Sequence, residues 1–120
     1  MPYEYFCSVA AECRYQYVVI PASMVEEEEF ANLSLDEKVL YAMMLRQTTQ
    51  SVEQGYVDEK GRLYIVFPRE ETMRVMGCAK DKATKLMREL EDFGLIERQR
   101  QDVGMPDIIY VLDWMNPVGA

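Results

Sequence analysis

The 120-residue sequence contains no histidine, so it lacks the commonest metal ligand and the usual general base near neutral pH. Its three cysteines, Cys7, Cys13 and Cys78, do not have zinc-knuckle spacing. Buried, reduced cysteines are favoured over a thiol sensor formed by Cys7 and Cys13. The sequence also has no glycine-rich phosphate loop and no nucleophile paired with a base. We therefore expect a protein that is not an enzyme, with no catalytic residues, no metal and no cofactor.

Long apolar runs are also absent, since none approaches the ~20 residues that span a bilayer. The N-terminus has no basic segment ahead of an apolar stretch, as a secretion signal would. A composition of 49% hydrophobic and 28% charged residues is typical of an ordinary globular domain. We expect one such domain, cytoplasmic and without a membrane partner.

Positive charge is scarce overall, because the formal net charge is −8, but it is unevenly distributed. Residues 1–59 carry 3 basic and 11 acidic side chains, whereas residues 60–100 carry 10 basic and 7 acidic ones. Such asymmetry within a chain says more about nucleic-acid binding than the total does. The acidic run Glu26–Glu29 fits a solvated helix face better than a functional patch.

The first half of the chain predicts an N-terminal extension followed by two helices. Residues 1–20 form the extension, a possible dimer contact, in which "YQYVVIP" predicts a short strand ending at Pro21. A short helix is expected over 21–30. Ser34 and Glu37 then form a capping box that begins a long helix ending before Gly55. Its apolar positions at helical spacing are Leu35, Val39, Ala42 and Met43.

The second half predicts a pair of strands, two helices and a further hairpin. The stretch "GYVDEKGRLYIVF" indicates two strands around a turn at Asp58 to Gly61, with Leu63, Ile65 and Phe67 on one face. The remaining expected elements are a helix after Pro68 that Gly77 stops, a helix over 80–93 that Gly94 stops, and strands in 95–101 and 107–113. This order indicates an α+β fold, a winged helix-turn-helix over 21–113 with an N-terminal strand and helix extension, followed by a tail over 114–120.

The helix over 80–93 has the charge pattern of a DNA-recognition helix. One sector is apolar, and residues 78–88 carry four basic side chains and one acid. Recognition helices present their N-terminal residues to base edges, so this helix and the wing strand supply the candidate DNA contacts. These are Lys80, Asp81, Lys82, Thr84, Lys85, Arg88, Arg98 and Arg100. The apolar sector comprises Ala83, Leu86, Met87, Leu90 and Phe93.

Each candidate also has a simpler interpretation. Lys85 or Arg88 could donate to guanine, and Thr84 could contact a thymine methyl or a phosphate. Asp81 could accept from a cytosine amino group or form an ion pair with Lys85. Arg98 and Arg100 alternate on the predicted strand and would contact the sugar-phosphate backbone. All of them could instead form an ordinary solvated surface.

Several motifs together resemble the N-terminal domain of replication initiator protein A, a family of low-GC Gram-positive plasmids and related mobile elements. They are "LSLDEKVLY", "GYVDEKGRLYIVF", "CAKDKATKLMRELEDFGLIERQRQ" and "PDIIYV", in order over about residues 15–112. The resemblance implies a winged-helix domain that binds origin repeats on double-stranded DNA as a homodimer. It also implies a separate C-terminal domain for host replication proteins, which lies outside this chain.

The sequence departs from the family pattern at two helix starts and at the wing tip. Pro68 and Ala79 stand where helix-capping residues are usual, and a missing cap costs about 1 kcal/mol. The wing tip Gly104-Met105-Pro106-Asp107 replaces a pattern with a lysine and an asparagine, which makes the tip more acidic. We therefore expect weaker, less salt-dependent DNA binding through the wing.

Two alternatives to a replication initiator stay open from the sequence. The chain could be a winged-helix transcriptional regulator, or a winged-helix protein-interaction module that has lost DNA binding.

Overall fold

A computed structural model describes residues 17–54 and 56–113, without the side chains of residues 51–54. Residues 17–20 form no strand, so the strand expected at "YQYVVIP" is wrong in its described part. A strand requires a neighbour with which to share hydrogen bonds, and this segment pairs with none of the described strands. The predictions for residues 1–16 and for the tail after 113 fall outside the described residues.

The short helix expected over 21–30 is divided into two. Helix α1 spans Ala22–Glu26 and a 3-10 turn spans Glu28–Phe30, separated by Glu27 in an extended conformation. The break allows both Met24 and Phe30 to enter the core. The four glutamates 26–29 are all exposed, as expected for a solvated face.

Helix α2 spans Leu35–Gln54 and begins at the predicted capping box. The backbone N–H of Ser34 donates to Glu37 Oε2 (3.0 Å), and the N–H of Glu37 donates to Ser34 Oγ (3.2 Å). Although α2 has 20 residues, no helix in the described ranges is both long enough and apolar enough to cross a membrane.

The core face of α2 differs from the expected one. Leu35 is 69% exposed and Val39 is also exposed, whereas Ala42 is buried as expected. The other fully buried apolar side chains of α2 are those of Leu40, Tyr41 and Met44. The buried stripe also includes polar residues, Glu37 in the capping box and Thr48, whose hydroxyl donates to the Met44 carbonyl (2.9 Å). Because these polar groups are satisfied by local bonds, the stripe could not be recognised from apolar spacing alone.

Helices α3 (Arg69–Met76) and α4 (Lys80–Phe93) form the helix-turn-helix at the predicted positions. Gly77 ends α3 and Gly94 ends α4, each in the left-handed conformation that only glycine adopts without strain. Neither Pro68 nor Ala79 provides a side-chain cap, as the sequence indicated.

The three strands form one antiparallel sheet in the order β1-β3-β2. They span Ile65–Val66, Ile96–Gln99 and Ile108–Val111, numbered in chain order, and the β2–β3 hairpin is the wing. Ile65 pairs with Ile109, and Ile96 pairs with Val111. Buried side chains from this sheet pack with those of α2 and α4 in one core. The α+β winged helix-turn-helix is therefore confirmed.

A second hairpin precedes β1, with the predicted turn over residues 58–61 and a bridge between Val57 and Leu63. The Asp58 carboxylate accepts hydrogen bonds from the backbone N–H groups of Lys60 and Arg62, from Arg62 Nε (2.8 Å) and from the Tyr110 hydroxyl (2.9 Å). Partial burial opposes ionisation of Asp58, but these hydrogen bonds, with those from Arg62 foremost, hold its pKa well below the ordinary value. Asp58 thereby joins this hairpin to β3.

Candidate nucleic-acid interface

The apolar sector of α4 fixes which of its residues face solvent. Ala83, Leu86, Met87 and Leu90 are buried, as predicted. Phe93 instead lies at the edge of the core, 39% exposed, with its ring stacked on that of Phe30 at a centroid distance of 5.7 Å. The opposite face of α4 is therefore available to a partner.

One side of that exposed face is turned toward the start of α2. Lys82 Nζ lies 2.8 Å from Asp36 Oδ2, and this hydrogen bond raises the pKa of Lys82. Lys85 Nζ lies 3.8 Å from Glu89 Oε1, so Lys85 pairs with Glu89 rather than with Asp81. Two of the predicted DNA contacts therefore already have acidic neighbours within the protein.

A carboxyl pair lies next to these lysines. Glu37 is only 3% exposed, and the carboxyl group of Glu89 on α4 lies beside it. Burial, followed by the hydrogen bond with Glu89, raises the pKa of Glu37 above its ordinary value. The sequence identified Glu37 only as a cap, because nothing local indicates which residue of α4 it contacts.

The outermost part of α4 carries the cations that remain free. Lys80, Asp81 and Arg88 are exposed. Within residues 17–54 and 56–113, neither Lys80 nor Arg88 forms an ion pair. Arg88 lies two turns along the helix from Lys80, so together they form a cationic strip on the N-terminal two-thirds of α4.

The wing places its two arginines differently from the expected arrangement. Strand β2 ends at Gln99, so Arg100 follows the strand instead of alternating with Arg98 along it. Arg98 donates to Glu91 Oε1 through Nε (3.2 Å) and Nη2 (3.0 Å), and its backbone N–H approaches Glu91 Oε2 (3.3 Å). These bonds fasten β2 to α4. Arg100 is exposed.

Between α4 and the wing lies a groove with a cavity of about 310 Å³. Thr84, on the wing side of α4, is half-buried and lines this groove. Arg69, the first residue of α3, lines it as well, although no role for Arg69 was predicted from the sequence. The available signal was a basic residue directly after Pro68 at the start of the first helix of the helix-turn-helix. The wing side of the groove is formed by Arg98, Pro106 and Asp107.

Comparison with known proteins agrees with this arrangement. The family model described as "Replication initiator protein A (RepA) N-terminus" matches residues 16–118. The chain belongs to this family. A "41 kDa protein" of Lactobacillus helveticus is 22% identical over an alignment that covers 77% of this chain. The chain spans only 28% of the length of that relative.

Solved structures share the fold of this replication initiator domain. "Structure of Rep-DNA complex" has a TM-score of 0.75 and 31% identity, covering 92% of this chain and 84% of that one. "N-Terminal domain of DNA binding protein" has a TM-score of 0.74 and 29% identity, with 92% and 85% covered. "Structure of MDR initiator" has a TM-score of 0.72 at 23% identity, with 91% and 86% covered, and it supports the fold alone.

Proposed function

We propose that this chain is the double-stranded DNA-binding domain of a plasmid replication initiator and binds repeats in the replication origin. The observation that carries the proposal is the pair of exposed cations Lys80 and Arg88 on α4, the second helix of the helix-turn-helix, which form no ion pair within the described residues. A relative of 31% identity, named as a Rep-DNA complex, supports the same role.

The net charge of −8 is compatible with this role. Exposed charges are largely screened beyond a Debye length of ~8 Å in physiological salt, so only charges near the duplex matter. Arg88 reads a base edge by donating to guanine O6 and N7, and Lys80 neutralises a phosphate. Four further basic residues contribute to DNA binding where they exchange an acidic neighbour or solvent for a phosphate. They are Lys82, Lys85, Arg98 and Arg100.

Family membership supports proposals for the oligomeric state, the protein partners and the location of this protein. Two copies bind as a homodimer, which presents two α4 helices to successive major grooves. Contacts with host replication proteins belong to a C-terminal domain outside this chain. We place the protein in the cytoplasm, where plasmid DNA replication takes place, and assign it no catalytic step.

A second candidate, a winged-helix protein-interaction module, is favoured by one observation. Three of the eight predicted DNA contacts, Lys82, Lys85 and Arg98, are in ion pairs with acidic residues of the same chain. A module of this kind would not bind duplex DNA even at low salt. A transcriptional regulator would use the same α4 residues, but its binding site would lie at a promoter.

The test is a footprint on fragments that tile the plasmid or mobile element carrying the gene. We expect protection of iterated repeats. Arg88→Ala should weaken binding to the protected fragment by about 1–3 kcal/mol and relax specificity at one base pair. Lys80→Ala should weaken binding to every fragment alike.

Lys60→Ala is the control with the same change of charge. Lys60 is exposed in the turn before β1, at the edge of the sheet away from β2, and its loss should leave the footprint unchanged. Absence of binding to any fragment at low salt would favour the interaction module. Equal binding by the wild type and the Arg88→Ala variant would remove α4 from the mechanism.

A further inference from the structure

We infer that Arg69 holds a DNA backbone phosphate in the groove between α4 and the wing. The inference rests on the proposed function, to which it adds a contact outside the recognition helix and the wing strand. Arg69 begins α3, and its side chain lines the cavity of about 310 Å³ together with Thr84 of α4.

The inference rests on the hydrogen bonds and ion pairs that the guanidinium of Arg69 lacks. Among the residues that the structure describes, the buried Nε atom of Arg69 has no hydrogen-bond partner and its guanidinium forms no ion pair. Burying an N–H without a partner destabilises the folded protein, and more so on a charged group. Native proteins therefore rarely retain one unless water or a ligand satisfies it. The guanidinium of Arg69 is thus prepared for an acceptor that enters the cavity from outside.

A phosphate is the acceptor that matches this geometry. The two terminal nitrogens of a guanidinium form a planar fork that binds two phosphate oxygens at once. The cavity lies between Thr84 on α4 and Pro106 at the wing, so a duplex that contacts both elements runs across its opening. Thr84 lines the same cavity, and its hydroxyl can donate to the same phosphate.

Two acidic residues also line the groove, and neither of them neutralises Arg69. Glu70 and Asp107 line the same cavity, but neither forms an ion pair with Arg69 among the described residues. The other arginine on the wall, Arg98, is already bonded to Glu91. Arg69 is therefore the cation in this groove whose charge is available to DNA.

The test measures binding to a duplex of unrelated sequence over a range of salt concentrations. Arg69→Gln should weaken binding about tenfold. It should also lower the slope of log affinity against log salt by about one, and it should do so equally for specific and unrelated duplexes. Arg69→Lys keeps the charge but loses the fork, so it should weaken binding while leaving the slope nearly unchanged.

Arg74→Gln is the matched control. Arg74 lies on the same helix, is exposed, bonds to Glu71 and is not part of the cavity. Its loss should alter neither affinity nor slope. If wild-type protein binds and Arg69→Gln binds with the same affinity and slope, the inference is overturned while the proposed function stands.

Two other outcomes are also decisive. Failure of the wild-type protein to bind any duplex would overturn the proposed function and this inference together. If Arg69→Gln does not fold, the Arg69→Lys variant decides, since binding equal to the wild type would show that the fork holds no phosphate.

Discussion

At the scale of single residues, the cations of the recognition helix fall into two groups. Lys80 and Arg88 are free within the described chain, whereas Lys82 is hydrogen-bonded to Asp36 and Lys85 lies near Glu89. An acidic neighbour at 2.8 Å competes directly with a DNA phosphate for the same ammonium group. We therefore expect the internal acids to reduce the affinity for DNA that the charge of α4 would otherwise provide.

Asp36→Asn tests this competition. Lys82 and Asp36 are both about half exposed, and pairs of this kind are worth at most about 1 kcal/mol. We expect the substitution to tighten binding to a random-sequence duplex by about two- to fivefold. Thermal stability should change little, and fluorescence anisotropy at fixed salt measures the affinity.

Asp92→Asn removes the same charge at an exposed position near the other end of α4 and should have little effect. Weaker binding by Asp36→Asn would mean that the ion pair holds Lys82 in position for DNA instead of competing with it.

Among the secondary-structure elements, the hairpin over residues 56–63 depends on a single carboxylate. Asp58 receives four hydrogen bonds, including one from Tyr110 on β3. Its pKa is lower in the folded protein than its ordinary value of 3.8. The stability that it contributes is therefore fully present above the ordinary value and is lost as the pH falls toward the folded-state pKa.

Asp58→Asn should consequently lower the melting temperature at pH 7, and its difference from the wild type should shrink as the pH falls below 3.8. Circular dichroism melts over a pH series measure both quantities. Glu59→Gln, an exposed neighbour in the same turn, should show neither effect. A constant difference at every pH would mean that the charge of Asp58 does not stabilise the hairpin.

The helices also show which features could be predicted from the sequence and which could not. Proline at a helix start and glycine at a helix end act locally, so the bounds of α3 and α4 agree with the predicted ones. The predicted buried side of α2 was wrong at Leu35 and Val39, because the buried stripe includes two polar residues that apolar spacing does not reveal, Glu37 and Thr48. Ion pairs such as Asp36 with Lys82 join residues far apart in the chain, and local patterns carry no information about them.

On the scale of the whole molecule, the acidic run and the cationic end of α4 lie apart. Phe30, which follows Glu26–Glu29 directly, stacks on Phe93, the last residue of α4. Helix α4 has 14 residues, so about 20 Å of helix separates that end from Lys80. This exceeds the Debye length of ~8 Å in physiological salt but not the ~30 Å at 0.01 M.

Replacing all four glutamates 26–29 by glutamine should therefore change duplex affinity less than about twofold at ~0.15 M salt and raise it several-fold at ~0.01 M. Asp81→Asn, at the cationic end itself, should raise affinity for a random-sequence duplex at both concentrations. Titrations at the two salt levels compare the variants directly. An equal gain from both variants at the higher salt concentration would place the glutamates beside the bound DNA. The distance between the acidic run and the cationic end of α4 would then not explain why so acidic a chain binds a polyanion.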